Sequence, residues 1–308
     1  MWRLSQLWRK RTPLTIDRGL VCVVAIVKAE EPFIDEWIAY HRLIGVDHFF
    51  LYDNDPIGPL KHLLKHHAEY VTVIDWPGEH DDLPGRNKQT KAYTDSLHRI
   101  NHRWVAFIDG DEFIVLRKHA NLKEFLVQFE DVGAVLLTWH LFGNNGYYTN
   151  PKGLITASLT RRKREPGRMT KSISKVAAIS SIQSAHLCKL KRGFRTVDAN
   201  KRPYSQALYP GKTEVAHINH YLCRSFENWM NRVARGGAAY TKENYPKNQD
   251  HSWRFDRELC KAKFFEIEKE TNEVVDEFML KYAEPIQAFT HLRRGTEPRL
   301  SSENLDQP

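Results

Sequence analysis

The hydrophobic positions over the first 140 residues follow two periods in alternation. The continuous apolar run 20–27 predicts a buried strand, and the apolar residues after it recur at helical spacing as far as Gly45. The same patterns predict strands at 48–52, 71–76, 104–108 and 133–139, and helices at 86–100 and 121–129. Because strands and helices alternate, the predicted fold class is α/β with a doubly wound sheet.

The pattern loosens beyond residue 140, where short strands, aromatic residues and basic loops mix without an obvious linker. Residues 225–240 and 254–283 again have helical spacing, and the end of the chain is polar. We therefore predict a basic N-terminal segment (1–19), one α/β domain (20–240), a C-terminal helical extension (241–294) and a disordered tail (295–308).

The charge of the chain narrows the choice of partners. A net charge of +8 and a pI near 9.2 favour an anionic partner, such as a sugar nucleotide, an acidic glycan, a phospholipid surface or nucleic acid. No zinc finger, helix-turn-helix signature or RNP-like aromatic run is present, so we predict no nucleic-acid partner. The four cysteines are far apart and form no C-x-x-C pair, which is typical of a protein of the reducing cytosol.

The first eleven residues combine apolar and basic side chains. Leu4, Leu7 and Trp8 fall near one face of a helix, with arginines and a lysine beside them. One interpretation is a short interfacial anchor on an anionic membrane surface, which predicts a cytoplasmic protein held peripherally at the inner face of the membrane. The other interpretation is a solvated basic tail.

The most informative stretch is 104–113, where a buried strand ends in three acids within four positions. Asp109 and Asp111 are two residues apart, so both can reach one hard divalent ion, and Gly110 lets a ligand approach the backbone. A phosphohydrolase of the haloacid dehalogenase type would need its nucleophilic aspartate on the first strand. That strand ends here in Lys28-Ala29-Glu30, whereas an acidic pair on a later strand is typical of nucleotide-sugar transferases.

Two further groups of residues are candidates for the same chemistry. His217 and His220 are three apart beside a predicted helix start at Ser225, and each is either a metal ligand or a packed histidine. An imidazole in an oxygen-rich shell is compatible with manganese. The basic stretch 161–164, continued by Arg168, Lys171 and Lys175, either neutralises a diphosphate or is a solvated loop.

Together these residues resemble glycosyltransferase family 92 and its family 2-like bacterial relatives. The resemblance rests on Ala25–Glu30, Ile34–His41, Gly45–Asn54, Gln89, Trp104–Phe113, Phe142-Gly143, Lys171–Ile173, His186, and Ile218–Tyr221 with Ser225 and Glu227. It implies a GT-A fold and inverting transfer of a sugar from a nucleotide-sugar donor, a UDP-sugar by preference, to a glycan or glycolipid acceptor. It also implies Mn²⁺ or Mg²⁺ as cofactor. Ala29 departs from the asparagine that relatives often carry there.

The strand ends and the resemblance give each candidate a role. The expected metal ligands are Asp109, Asp111 and His220, with His217 and His186 in reserve. The expected donor-binding residues are Lys28, Glu30, Asp53, Gln89 and Lys171. The expected acceptor-binding residues are Trp139, Phe142 and Gly143, although Phe142 can equally be a core residue. The expected catalytic base is Glu227, with Asp198 and Glu214 as alternatives.

A non-enzymatic alternative is a glycan- or nucleotide-binding protein that kept the fold and lost the reaction. Asp109, Asp111, Glu112 and His220 together argue against it, because buried charges are costly to keep without a cation.

Overall fold

The computed structural model describes residues 19–77, 88–204, 211–234 and 256–294, apart from the side chains of Val233, Arg293 and Arg294. The strands are β1 (Val21–Val27), β2 (His48–Asp53), β3 (Val71–Asp75), β4 (Trp104–Phe107), β5 (Glu112–Leu116), β6 (Ala134–Leu141), β7 (Arg161–Arg162), β8 (Thr170–Lys175), β9 (Ile179–Ile182), β10 (Cys188–Leu190), β11 (Thr196–Asp198), β12 (Ala216–His220) and β13 (Val274–Val275).

The α-helices are α1 (Ile34–Leu43), α2 (Leu60–Leu63), α3 (Lys88–Ser96), α4 (Leu122–Leu126), α5 (Ile155–Ser158), α6 (Phe226–Ala234), α7 (Arg257–Thr271) and α8 (Ala283–Arg294). Short 3₁₀ helices cover Lys65–His67, Val127–Phe129, Val176–Ala178 and Phe278–Tyr282. Every helix in the described ranges is too short or too polar to cross a membrane.

Nine strands of the described chain form one mixed sheet in the order β3-β2-β1-β4-β8-β6-β12-β5, with β11 beside the first half of β6. Strands β1 to β4 are parallel to one another, as are β6 and β12. Strand β8 lies antiparallel between β4 and β6, and β5 is antiparallel to β12. The fold is therefore α/β, as the alternating pattern of strands and helices predicted.

Helix α1 fixes the position of β5 on the sheet. Its apolar stripe is buried, and its two large aromatic residues also donate hydrogen bonds to the strand. Trp37 Nε1 donates to the carbonyl of Glu112 (2.7 Å) and the Tyr40 hydroxyl donates to the carbonyl of Ile114 (2.7 Å). Gly45, with φ of +96°, ends the helix as the sequence predicted. The helix thus positions the strand that follows the acidic cluster.

Strand β8 was not predicted, because its sequence is polar. Thr170, Ser172 and Ser174 are nonetheless buried, since β8 lies between β4 and β6 and its backbone pairs with both. The backbone N–H and C=O groups of such a segment are satisfied by hydrogen bonds that only the assembled fold provides. This strand brings Lys171 to the interior of the protein.

The basic stretch 161–164 binds the C-terminal part of the chain. Arg162 Nε donates to Asp276 (2.8 Å) and Lys163 Nζ donates to Glu270 (2.6 Å). The stretch is therefore tied to the acids of the C-terminal segment, a role that neither sequence alternative, diphosphate binding or a solvated loop, had included.

The C-terminal extension is helical, but not continuously so. The predicted helix 254–283 divides at Asn272 into α7, the short strand β13 and a 3₁₀ turn before α8. The predicted membrane anchor and disordered tail lie outside the described residues, apart from residue 19.

Candidate active site

One edge of the sheet collects most of the predicted site residues. The parallel strands β1, β2, β4, β6 and β12 end at this edge, whereas the antiparallel β5 and β8 begin there. Residues after β4, at the start of β5 and β8, and at the end of β12 therefore meet. These residues are Asp109, Asp111, Glu112, Lys171 and His220.

Asp109 is held by a set of hydrogen-bond donors. Its carboxylate accepts from Gln89 Nε2 (2.6 Å) and from Lys171 Nζ (3.0 Å), and the Tyr93 hydroxyl lies 3.4 Å away. Gln89 and Tyr93 are one turn apart on α3. The structure thus brings Gln89 and Lys171, both predicted to bind the donor, to a predicted metal ligand.

Lys171 and Glu112 are buried side by side next to Asp109. Their side chains are 1% and 0% exposed, and Lys171 Nζ lies 3.3 Å from Glu112 Oε2. Burial would lower the pKa of Lys171, but Asp109 and Glu112 outweigh it and raise that pKa, so the lysine is charged. Burial raises the pKa of Glu112 well above its usual range, and Lys171 opposes the shift. Glu112 Oε2 also accepts from the backbone N–H of Asp109 (2.9 Å), so it supports the acidic turn.

Asp111 is paired with two residues of the following segment. Arg232 Nη1 of α6 donates to its Oδ2 (2.5 Å), and His220 Nε2 lies 3.4 Å from the same oxygen. Burial alone would raise the pKa of Asp111, but Arg232 and then His220 outweigh it and hold that pKa well below its usual range. Asp111 is therefore an ionised carboxylate inside the protein.

The contacts of His220 and Asp109 bear on the predicted metal site. Neither ring nitrogen of His220, which is buried, has a hydrogen-bond partner among the described residues. An imidazole whose Nε2 faces an ionised carboxylate without a hydrogen bond to it fits a metal ligand. The ligand atoms of Asp109, Asp111 and His220 do not all lie within 4.8 Å of one another, as far as the described residues show. Asp111 and His220 thus fit direct ligation, and Asp109 fits ligation through water.

Arg224 closes the base of the acidic turn. This buried side chain donates to Glu30 (2.5 Å) and to the carbonyl of Gly110 (3.0 Å), and its guanidinium stacks on Phe33. A Cβ on Gly110 would lie 3.4 Å from side-chain atoms of Glu30 and Val27, so the turn is closely packed there. Glu30, predicted to bind the donor, is consequently part of an interior ion pair.

The other two predicted donor-binding residues differ in exposure. Lys28 is half-buried at the end of β1. Asp53 is buried, and its carboxylate accepts from the backbone N–H groups of Asp55 (3.1 Å) and Leu60 (3.0 Å). It therefore shapes the loop that follows β2.

The three predicted acceptor residues are divided between surface and core. Trp139 keeps an exposed part and packs against the rings of His220 (4.3 Å between centroids) and His186 (5.5 Å). Phe142 is buried against Tyr221. Gly143 is buried against α7, where a Cβ would lie 2.4 Å from Asn272 Oδ1. Trp139 is the member of the three that borders the candidate metal ligands.

Glu227 lies on the exposed first turn of α6. Its Oε2 accepts from the backbone N–H of Asn150 (3.1 Å), and its own N–H donates to the carbonyl of Tyr148. The alternative base Asp198 is buried and pairs with Arg202 (2.6 Å).

The reserve ligands have backbone partners. Nδ1 of His217 lies 3.1 Å from the carbonyl of Thr213, and its Nε2 lies 3.0 Å from Oδ1 of Asn219. Nδ1 of His186 lies 2.9 Å from the carbonyl of Thr170. Of these three histidines, His220 is the one whose ring nitrogens make no hydrogen bond to the described residues.

Sequence reasoning gave no role to Arg224, Arg232 or Tyr93. A signal existed for the two arginines, since they lie close after the histidine cluster and on the segment that leads into the predicted helix. Their partners, Glu30 and Asp111, are distant in sequence, so the pairing follows from the tertiary fold alone.

Charged residues of both signs at the carboxyl edge of an α/β sheet form the kind of site that binds a phosphorylated ligand. The chain belongs to glycosyltransferase family 92, because the model of that family matches residues 18–261. The family that the sequence resembled is thus confirmed, together with the α/β, GT-A fold class.

Curated relatives agree with this assignment. A glycosyltransferase family 92 protein of Oryza sativa subsp. japonica is 27% identical over 249 residues, and one of Ricinus communis is 28% identical over 229 residues. These alignments cover 78% and 71% of this chain, but 38% of each relative. The chain therefore spans less than half the length of these relatives.

Solved structures also resemble parts of the chain. Glucosyl-3-phosphoglycerate synthase from Mycobacterium tuberculosis, in complex with Mn²⁺ and UDP-glucose, is 23% identical with a TM-score of 0.28, over 39% of this chain and 44% of that chain. S. aureus TarS 1-349 in complex with UDP is 15% identical with a TM-score of 0.32, over 52% and 47%. Resemblances at these TM-scores do not define the ligands of this chain.

Proposed function

We propose that this protein is a metal-dependent, inverting glycosyltransferase that moves a sugar from a nucleotide-sugar donor, a UDP-sugar by preference, to a glycan or glycolipid acceptor. The observation that carries the proposal is the ionised Asp111 beside His220, whose ring nitrogens have no hydrogen-bond partner in the described chain. Membership of glycosyltransferase family 92 supports the reaction class.

The donor diphosphate is assigned to the edge where Asp111, His220 and Lys171 meet. Asp111 and His220 would hold Mn²⁺ or Mg²⁺, and Asp109 would contribute through water. The ion would supply a Lewis acid for the leaving diphosphate. Lys171 and Arg232 add fixed positive charge, so they stabilise the negative charge that grows as the sugar–phosphate bond breaks.

The acceptor is assigned to Trp139. The C–H face of a sugar ring packs well on an aromatic ring, and this tryptophan borders His220. Phe142 and Gly143 are inside the protein, so they would contribute to the acceptor site by packing and not by direct contact with the sugar.

Inverting transfer needs a carboxylate that takes the proton of the acceptor hydroxyl. Glu227 is the proposed base, since it is exposed and follows the histidine strand on α6. Glu227→Gln is expected to lower kcat without changing the binding of UDP, because glutamine retains an oxygen that can accept the hydrogen bond from Asn150. Glu258→Gln, at an exposed position of α7, is the matched control and should leave kcat unchanged.

The donor site is tested by thermal unfolding with UDP, with and without Mn²⁺, on wild type and Asp111→Asn. We expect UDP to raise the Tm of wild type only when Mn²⁺ is present, and to have no effect on the variant. A Tm that UDP leaves unchanged in both proteins would contradict the proposal. UDP binding without turnover of any UDP-sugar would support the inactive binding protein, and release of phosphate from simple phosphomonoesters would support a phosphohydrolase.

The membrane surface is a separate part of the proposal, since the basic segment lies outside the described residues. Deleting residues 1–11 should release the protein from anionic vesicles if the segment is an interfacial anchor. Unchanged sedimentation with the vesicles would contradict this.

A further inference from the structure

A cluster of metal-ligating side chains that the proposed reaction does not use joins α1 to the 3₁₀ helix 65–67. It consists of Asp35, in the first turn of α1, with His66 and His67. In the described part of the chain this is the group of three or more ligand-bearing side chains whose ligand atoms all lie within 4.8 Å of one another. It therefore meets a geometric condition that the acidic cluster at the sheet edge does not meet.

The distances within the cluster match those around a tetrahedral ion. Asp35 Oδ1 lies 3.2 Å from His67 Nε2 and 3.5 Å from His66 Nε2. Around a tetrahedral zinc ion with bonds of about 2.0–2.1 Å, neighbouring ligand atoms are about 3.3–3.4 Å apart. One carboxylate oxygen thus faces two imidazole nitrogens at the spacing that a shared ion requires.

The surroundings of His67 match those of a metal-ligating histidine. Its Nδ1 lies 2.5 Å from the hydroxyl of Tyr70, which is itself buried. A hydrogen bond from Nδ1–H to that hydroxyl leaves the lone pair on Nε2, the nitrogen that faces Asp35. Histidines that bind metals usually donate their other ring N–H in this way, which fixes the ring and the tautomer.

The burial of the cluster suits an interior ion with three protein ligands and one open position. The side chains of His67, His66 and Asp35 are 0%, 7% and 12% exposed. Three protein ligands with a small opening to solvent leave room for water as the fourth ligand. Two imidazoles and one carboxylate suit zinc better than magnesium, which prefers oxygen alone.

We propose that Asp35, His66 and His67 form a zinc site that joins α1 to the segment before β3. The site also bears on α8, because the ring of Phe289 stacks on His67 (6.2 Å between centroids, 18° between planes). This site is independent of the proposed transferase reaction, which uses different residues and a harder ion.

The test uses the full chain, freed of metal by a chelator and then titrated with Zn²⁺ by calorimetry. Wild type should bind one equivalent through this site and gain Tm on doing so. His66→Ala and Asp35→Asn should each lower the affinity by at least about tenfold. His62→Ala, at an exposed position of α2, is the matched control and should change nothing.

Co²⁺ provides a second readout that does not depend on stability. In wild type and in His62→Ala, Co²⁺ should give the intense visible absorption of a tetrahedral site, and both His66→Ala and Asp35→Asn should lose it. Wild type that binds neither ion, or His66→Ala and Asp35→Asn with unchanged affinity, would overturn the proposal. In that case Nε2–H of His67 donates to Asp35, and the cluster only links α1 to the 3₁₀ helix 65–67 by hydrogen bonds.

Asp111→Asn separates this site from the proposed donor site. It should keep the zinc affinity of wild type while losing the Mn²⁺-dependent response to UDP. Loss of zinc binding in Asp111→Asn would place the ion at the sheet edge and refute the assignment to Asp35.

Discussion

Nη1 of Arg232 lies 2.5 Å from Oδ2 of Asp111, so an arginine of α6 donates a hydrogen bond to the carboxylate that is the proposed metal ligand. The arginine side chain is 33% exposed, whereas that of the aspartate is 4% exposed. The pair joins α6 to the turn after β4. A divalent ion at Asp111 would have to share this carboxylate with a fixed positive charge.

Replacing Arg232 by alanine should strengthen Mn²⁺ binding and weaken catalysis. Removal of a competing charge at a partly solvated site is worth roughly 1 kcal/mol, which corresponds to about fivefold in affinity for the ion. Turnover should fall, because the same charge is proposed to stabilise the leaving diphosphate. Calorimetric titration with Mn²⁺ and a transfer assay measure the two effects. Arg195→Ala is the control, since Arg195 forms an exposed ion pair with Asp131; equal Mn²⁺ affinity in both variants would contradict the prediction.

Replacing Lys171 by methionine should destabilise the protein strongly. The lysine is buried between Asp109 and Glu112, and removing one partner of a buried ion pair costs about 3–5 kcal/mol. The double variant Lys171→Met/Glu112→Gln should recover part of this loss, because it no longer buries an unpaired carboxyl group. Urea unfolding measures both free energies. Lys189→Met, at an exposed position, should lie close to wild type; a similarly small effect at Lys171 would show that the pair is not buried in solution.

Because of His41, the free energy of unfolding should fall when the pH is lowered from neutral to weakly acidic. Burial lowers its pKa from 6.5 to about 3, and the hydrogen bond from Nδ1–H to the carbonyl of Trp37 (2.8 Å) opposes this shift without cancelling it. The other ring nitrogen, Nε2, accepts from the N–H of Ile114. Between these two pKa values the unfolded chain binds a proton that the folded chain does not, so stability is present above pH 6.5 and is lost as the pH falls.

The expected loss from His41 is about 2 kcal/mol in the free energy of unfolding between pH 7 and pH 5. Urea unfolding at the two pH values measures it in wild type and in His41→Gln. The variant is expected to be less stable at pH 7 but to show a shallower pH dependence. An unchanged slope would assign the effect to other buried histidines, such as His217, whose pKa burial lowers to about 4.

Ala29 should be a site where a substitution stabilises the protein. Its φ is +51°, in the left-handed region that alanine disfavours and that glycine and asparagine tolerate. Ala29→Asn should raise the free energy of unfolding by about 1 kcal/mol. Thermal unfolding checks this, with Ala120→Asn at another exposed position as control. A fall in Tm for Ala29→Asn would show that the loop after β1 relaxes out of this conformation.

The parallel half of the sheet could be predicted from sequence because each of its elements carries its own local signal. The all-apolar β1, the stripe on α1 and Gly45 together locate that half to within a few residues. The acidic turn after β4 was predictable for the same reason. Strand β8 was not, because its burial depends on neighbours that the sequence does not place beside it.

The candidate site shows the same division. Asp109 and Asp111 follow a strand and could be recognised from their neighbours alone. Arg224 and Arg232 reach partners 194 and 121 residues away, so no local pattern reveals them. The family resemblance suggested that Gly143 binds the acceptor. Its close packing against Asn272 is visible only in the assembled protein.

The docking of the C-terminal segment has a consequence for cooperativity. Tyr282 packs edge-on against Tyr40 of α1 (5.0 Å between centroids), and Asp276 pairs with both Arg117 and Arg162. Helix α1 in turn holds β5 in the sheet. Because the connection between α7 and α8 is joined to the central elements at these two residues, we expect heat to unfold the sheet and the C-terminal helices in a single transition.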